Sequence, residues 1–323
     1  MVKIFKQLYY RKLVIQINYI RMIRPAYLQN GDHVGIVAPA GIIKETDIEP
    51  AIKILQDWGL KIIKGRYLFE KSGFFAGTDQ QRLEDFQAVL DNPDIRAVFC
   101  ARGGYGIIRI IEQLDFSRFL KSPKWIIGYS DITILHIYLN HCLKCESFHA
   151  LMPKNFEKAR QEGTSLPTLR SALFGESLKY DIKQNRHNKP GSASGKLTGG
   201  NLSIIYSLQA TPFEIKTKNK ILFIEDTGEH IYHIDRMMMN LKISGKLKDL
   251  KGLIVGGMTG IKQTTPVFGK SAYEVISDII SEYTYPVIYG FPAGHLIPSL
   301  TLAMGRNIRM EVSDQKTLIV FRK

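Results

Sequence analysis

The chain has 323 residues, 45% of them hydrophobic, which suffices for two domains with buried cores and argues against disorder. It contains no run of 18 or more uncharged apolar residues, so no segment reads as a membrane span. The formal net charge of +14 invites a nucleic-acid-binding reading. However, Lys3, Lys6, Arg11, Lys12, Arg21 and Arg24 all precede the first acidic residue, Asp32, and the remainder has no basic stripe interleaved with aromatics.

Residues 1–21 read as a basic extension. The apolar stretch Leu13 to Ile20 is interrupted by Gln16 and Asn18 and no small-residue cleavage site follows, unlike a signal peptide. Met22 is the expected domain start, with the leader either an upstream start or a loose basic segment. An amphipathic membrane-surface segment is the less favoured alternative. Cys100, Cys142 and Cys145 are too few for a disulfide framework and fit a reducing compartment. Cys142-x-x-Cys145 lacks a second pair and a preceding thioredoxin-type strand, so it reads as coincidence at a helix end.

From Asp32 onward, short β-branched runs alternate with helical stretches, the pattern of a parallel sheet covered by helices. His33 to Ala38 is a strand ending in Pro39-Ala40-Gly41, and Ile48 to Trp58 has helical spacing. Thr78 with Gln81 three residues on makes an N-terminal cap for a helix whose apolar face is Leu83, Phe86, Val89 and Leu90, ending near Asn92-Pro93. Ala97 to Cys100 and Trp125 to Ile127 are strands; Ile107 to Leu114 and Ile132 to Leu139 are the helices after them. The joining loops, Arg102-Gly103-Gly104-Tyr105-Gly106 and Gly128-Tyr129-Ser130-Asp131, then fall at the carboxyl edge of the sheet, where such sheets bind ligands. Residues 179–194 are polar and carry Pro190-Gly191, so they read as a linker between a domain over 22–178 and another over 195–323. The second unit opens with Gly195 to Asn201 and has strands at Ile221 to Ile224, Gly252 to Val255 and Pro286 to Tyr289.

Ser130 stands where a strand gives way to a helix, the position of an elbow nucleophile, although the spelling departs from Gly-x-Ser-x-Gly; on local spelling alone a cap of the helix that begins at Asp131 is favoured, and the two readings are compatible. A serine nucleophile needs a base, and the base an orienting carboxylate. Among the eight histidines, His136 and His141 read as packing or surface residues of a helix, and His33 and His187 lie in a strand start and the linker. His295 follows a buried strand in the loop Phe291-Pro292-Ala293-Gly294, a common address for a functional residue, though a loop histidine bonded to backbone is as good a reading. Glu225 ends the apolar run Ile221 to Ile224 and is either solvated or held against a partner; Glu229 is the second choice of acid. Paired carboxylates would also suit a glycosidase or a metal site, but there is no His-Glu-x-x-His, Asp-rich loop or dinucleotide fingerprint, so no metal or organic cofactor is expected.

Together, Gly35 to Ala40, Arg102 to Gly106, Gly128 to Thr133, Leu197 to Leu202, Ile224-Glu225-Asp226 and Gly294-His295 resemble, in order, the LD-carboxypeptidase family, from about Arg24 to the C-terminus. The resemblance implies a flavodoxin-like or amidotransferase-like α/β domain bearing the serine, and a smaller mixed α/β C-terminal domain. It further implies Ser130 as nucleophile, His295 as base, Glu225 as orienting acid, and the backbone N–H groups of Asp131, Gly103 and Gly104 as oxyanion hole. The implied activity is that of a cytoplasmic muramoyltetrapeptide carboxypeptidase, a homodimer releasing terminal D-alanine from murein tetrapeptide in peptidoglycan recycling, without nucleic-acid or membrane partners. A relative of the microcin C self-immunity peptidase, acting on aminoacyl-nucleotide conjugates, is the rival, and a catalytically idle ligand-binding module is the reading from another class. Where members of the family often carry His-Gly-Pro-Met, this chain has His149-Ala150-Leu151-Met152, which leaves the loop geometry there open. Because residues 1–21 lie outside the resemblance, a chain starting at Met22 is expected to keep its fold and turnover, as a thermal melt and a peptide-release assay would check.

Overall fold

The computed structural model describes residues 22–322. The first sheet has the strand order β11-β5-β4-β3-β1-β2, built from β1 (His33–Val37), β2 (Lys61–Lys64), β3 (Ile95–Cys100), β4 (Trp125–Gly128) and β5 (Ser147–His149), with β11 (Leu302–Met304) returning late in the chain. Strands β2-β1-β3-β4-β5 are all parallel, the flavodoxin-like order, and β11 is antiparallel to β5. In the cap of helix Asp79–Asp91, Thr78 Oγ1 accepts from the Gln81 N–H at 3.2 Å and Gln81 Oε1 accepts from the Thr78 N–H at 2.8 Å, as the Thr-x-x-Gln spacing requires.

The second sheet runs β10-β9-β8-β7-β12-β13-β6, from β6 (Lys179–Ile182), β7 (Gly191–Asn201), β8 (Lys220–Thr227), β9 (Gly252–Thr259), β10 (Val287–Tyr289), β12 (Asn307–Val312) and β13 (Thr317–Phe321). Its β7 to β10 half is parallel and its β7-β12-β13-β6 half antiparallel. The polar stretch 179–194 is therefore not a linker. Both of its ends are strands, and they look polar because β6 is an edge strand and the first residues of β7 are mostly exposed, so half of their side chains meet water. The proposed basic leader lies outside the described residues. Among the described residues no helix is long and apolar enough to cross a membrane.

The two sheets share their cores. One apolar cluster joins Ile126 and Ile132 to Leu222, Ile224 and Leu253, and another joins Phe99, Trp125 and Phe148 to Leu197, Phe223 and Phe291. A buried ion pair closes the junction: Glu146, just before β5, accepts from Arg306 Nη2 at 2.6 Å and Nε at 2.9 Å, and Arg24 adds a contact at 3.1 Å. The Arg306 guanidinium also lies 5.8 Å from the centroid of the Trp125 ring. Because Arg306 is almost wholly buried, removing Glu146 leaves its charge uncompensated. Glu146→Ala is expected to lower unfolding free energy by about 3–5 kcal/mol in a urea titration.

Candidate active site

The Trp125–Gly128 strand is fully buried and continues through an extended Tyr129 into a short 3₁₀ turn, Ser130–Ile132, and then helix Thr133–Tyr138. Ser130 has φ 66°, a left-handed conformation that an L-residue adopts only under constraint. Its hydroxyl does not cap the following helix; Oγ meets His295 Nε2 at 3.2 Å. The elbow is crowded on the other side by Gly103, where an added Cβ would lie 2.8 Å from Ser130 Cβ and 3.1 Å from its Oγ. Glycine is thus required at 103 by close approach.

Glu225 lies near the carboxyl end of β8 and is completely buried. Its Oε2 accepts from His295 Nδ1 at 2.7 Å and from the His295 backbone N–H at 3.2 Å. With Nδ1–H committed to the carboxylate, Nε2 presents its lone pair to the serine hydroxyl. The preceding Gly294, at φ 106°, has room for no side chain, since a Cβ there would lie 2.4 Å from Glu225 Oε2. Burial pulls the His295 pKa down, but the hydrogen bond and charge of Glu225, helped by Asp226, outweigh it and raise the imidazole above its ordinary value.

Asp226 faces the opposite way and is saturated: Oδ1 accepts from Asn201 Nδ2 and the Thr227 N–H, and Oδ2 from the Ser203 N–H and Oγ, all within 2.7–3.0 Å. Glu229 contacts Ser203 Oγ at 3.1 Å and His233 Nδ1 at 2.7 Å; its carboxylate is committed there, and Glu225 is the acid on His295.

The Gly103-Gly104 loop is fixed from both sides. The Gly41 N–H donates to Gly103 O at 3.0 Å, and Arg102 Nη1 donates to Ile42 O at 2.7 Å. Asp131, buried beside the serine, accepts the Ile107 N–H at 2.9 Å and so ties the serine turn to the end of this loop. Burial pushes its carboxyl up to about 6, against the lowering effect of the Ile107 hydrogen bond and the Arg82 charge. Among the described residues the N–H groups of Gly103 and Gly104 donate to no protein acceptor.

Several residues near the site carried no assigned role in the sequence. The Tyr129 ring packs edge-on against His295 at 4.8 Å and its hydroxyl donates to Asn155 Oδ1 at 3.1 Å. Thr259 Oγ1 donates to the His295 carbonyl at 3.1 Å. Tyr129 lay inside a quoted motif, whereas Asn155 and Thr259 left no local signal. His149 is buried behind the serine at the end of β5, paired in register with Gly128 and packed on Phe223 at 5.0 Å. His136 and His141 are both buried, His136 between Ser147 Oγ and the Gly128 carbonyl. Cys100, Cys142 and Cys145 are free thiols.

The sequence matches the LD-carboxypeptidase N-terminal domain over residues 34–150 and the LD-carboxypeptidase C-terminal domain over 194–310. It is 34% identical to the probable murein peptide carboxypeptidase of Bacillus subtilis (strain 168), across 95% of this chain and 96% of that one. The chain belongs to the LD-carboxypeptidase family. It is by that membership a serine-type carboxypeptidase. This LD-carboxypeptidase superposes on the crystal structure of muramoyltetrapeptide carboxypeptidase from Oxalobacter formigenes with a TM-score of 0.82 at 28% identity, covering 90% of this chain and 99% of that one. It is also 26% identical to the microcin C7 self-immunity protein of Escherichia coli, over 91% of this chain and 94% of that protein.

The left-handed Ser130 generates a stability prediction. Glycine normally destabilises relative to alanine, but at φ 66° the order reverses. Ser130→Gly is expected to be more stable than Ser130→Ala by about 1 kcal/mol in paired denaturant titrations.

Proposed function

We propose that this LD-carboxypeptidase releases the terminal D-alanine of murein tetrapeptide by covalent catalysis in which Ser130 is the nucleophile, His295 the general base and Glu225 its orienting acid. The observation that carries the reading is the continuous contact from Glu225 Oε2 through the His295 ring to Ser130 Oγ, 2.7 Å and 3.2 Å in its two steps. Ser130 Oγ gives its proton to His295 Nε2 as it bonds to the scissile carbonyl carbon. The carbonyl oxygen takes the negative charge and is met by the N–H groups of Gly103, Gly104 and Asp131, each such donor supplying about 3 kcal/mol of transition-state stabilisation. His295 then protonates the departing amine of D-alanine. Water, deprotonated by the same nitrogen, hydrolyses the acyl-serine. The three unpaired cysteines support action in a reducing compartment, the cytoplasm, with a place in peptidoglycan recycling. The homodimer implied by the family resemblance belongs to the same proposal.

A second reading, hydrolysis of an aminoacyl-nucleotide conjugate, has one observation in its favour. Phe74 and Tyr105 are 58% and 46% exposed beside the glycine loop, with Phe74 Cε1 3.6 Å from where a Gly104 Cβ would lie, an aromatic surface able to stack a base. Measuring turnover of murein tetrapeptide against an aminoacyl-sulfamoyl-adenosine substrate separates the two. Efficient cleavage of the second alone would displace the murein reading.

Ser130→Ala and His295→Ala are expected to abolish D-alanine release with the fold intact by thermal melt. Glu225→Gln is expected to lose about 10⁴ in rate, as the corresponding Asp→Asn change does in a serine-protease triad, while Glu229→Gln stays active. The base must be neutral to accept a proton, so kcat/KM rises with pH through the His295 pKa, placed by its raised direction above 6.5. With Glu225 neutralised, Asp226 alone is left to oppose burial, and the midpoint should move down from its wild-type position. Near-wild-type turnover in Ser130→Ala would end the covalent mechanism.

A further inference from the structure

The end of β8 opposite Glu225 carries an uncompensated cluster of cations. Lys220 opens the strand and is in register with Lys196 of β7. Glu225 lies five residues after Lys220, about 17 Å along an extended chain. Lys220 Nζ lies 3.1 Å from His141 Nε2 and donates to the Lys216 carbonyl at 2.6 Å, while Lys144 Nζ donates to the His141 carbonyl at 3.0 Å. Among the described residues, none of Lys144, Lys196, Lys216 and Lys220 forms an ion pair; the nearby Lys246 is paired with Glu214 at 2.8 Å.

The buried His141 at the centre cannot neutralise them. Its Nδ1 accepts the Lys216 backbone N–H at 3.3 Å, so in the neutral ring Nε2 carries the proton and points it at Thr198 Oγ1, 3.1 Å away, and at Lys220. An N–H facing an ammonium is repulsive, so the lysine is left without an acceptor for its charge on this side. Burial, followed by the charges of Lys144, Lys196 and Lys216, pulls Lys220 down to about 8, and burial together with Lys220, Lys144, Lys216 and Lys246 holds His141 well below its ordinary value. Lys216 is exposed and Lys144, Lys196 and Lys220 are half-buried, so the cluster is open to solvent. Like charges held together without a counterion store repulsion that a multivalent anion relieves.

We propose that Lys144, Lys196, Lys216 and Lys220 form an anion site, remote from the catalytic serine, for a compact phosphate-bearing ligand of the diphosphate class. Lysine ammoniums supply point charges suited to phosphate oxygens, and four donors match a group with several of them.

The test uses the full chain, inorganic pyrophosphate and a nucleoside diphosphate, in low-salt buffer. Pyrophosphate is expected to bind saturably by calorimetry and to raise the melting temperature by several degrees, equally in wild type and Ser130→Ala. Lys216→Gln and Lys196→Gln should each weaken binding at least tenfold, and each should melt above wild type when no anion is present, because repulsion has been relieved. Solvated, independent surface lysines would show neither change. Equal affinity for pyrophosphate and the nucleoside diphosphate assigns recognition to the phosphates, and tighter binding of the latter assigns the site to a nucleotide. Absence of pyrophosphate binding, or an undiminished shift in both lysine variants, overturns the proposal.

Discussion

A carboxylate sealed from water is costly unless it is met by donors, and Glu225 is sealed completely. Both donors to its Oε2 come from His295, one from the ring and one from the backbone. The 291–295 loop must therefore fold down over the strand end, and only glycine at 294 lets it do so. Pairing Oε2 and aiming Nε2 at the serine are the same event, while Oε1 is left without a partner among the described residues. The position of His295 is thereby set by a folding requirement of the second sheet.

Its partner, Ser130, belongs to the other sheet, so the 3.2 Å contact between them depends on how the sheets dock. Three features hold that docking. Apolar clusters run through both sheets, β11 leaves the second half of the chain to pair with β5, and the Glu146–Arg306 clamp pins the turn that follows β11. A fourth contact acts close to Ser130: the Asn201 N–H at the end of β7 donates to Thr133 Oγ1 at 3.0 Å, at the start of the helix that follows the Ser130 turn. Interiors this closely packed transmit displacement instead of absorbing it, so a change in any of these joints reaches the serine–histidine distance.

The parallel half of the fold was legible because local chemistry decides it. The strand at His33, the Thr78–Gln81 cap and the two strand-to-helix loops each follow from periodicity and capping within a few residues. Residues 179–194 misled because the short edge strand Lys179–Ile182 and the exposed Gly-Ser start of β7 look like a linker, and only pairing with β12 and β13 distinguishes them. The return of Leu302–Met304 to the first sheet is a contact across more than 150 residues, which no local pattern encodes. The site was legible as residue types at loop positions, and the family resemblance joined them. Glu225, the first choice from the sequence, lies inside the strand under His295, and Glu229, the second, lies past it, on Ser203 and His233, a difference of position that no local pattern encodes.

The same fold sorts charges that a net sum averages. Parallel β7 and β8 share one direction, so the residues entering them gather at one end and the residues leaving them at the other. Lys196 and Lys220 enter side by side, whereas Asn201 and Glu225 are partners at the exit, followed by Asp226. A sum over the sequence averages these ends into a mild basicity. The folded strands separate them by about 17 Å, so the Coulomb interaction between the two ends is several-fold weaker than at ion-pair contact. The charge that acts on the His295 imidazole is accordingly that of Glu225, which touches it, helped by Asp226, and not that of the lysines at the entrance.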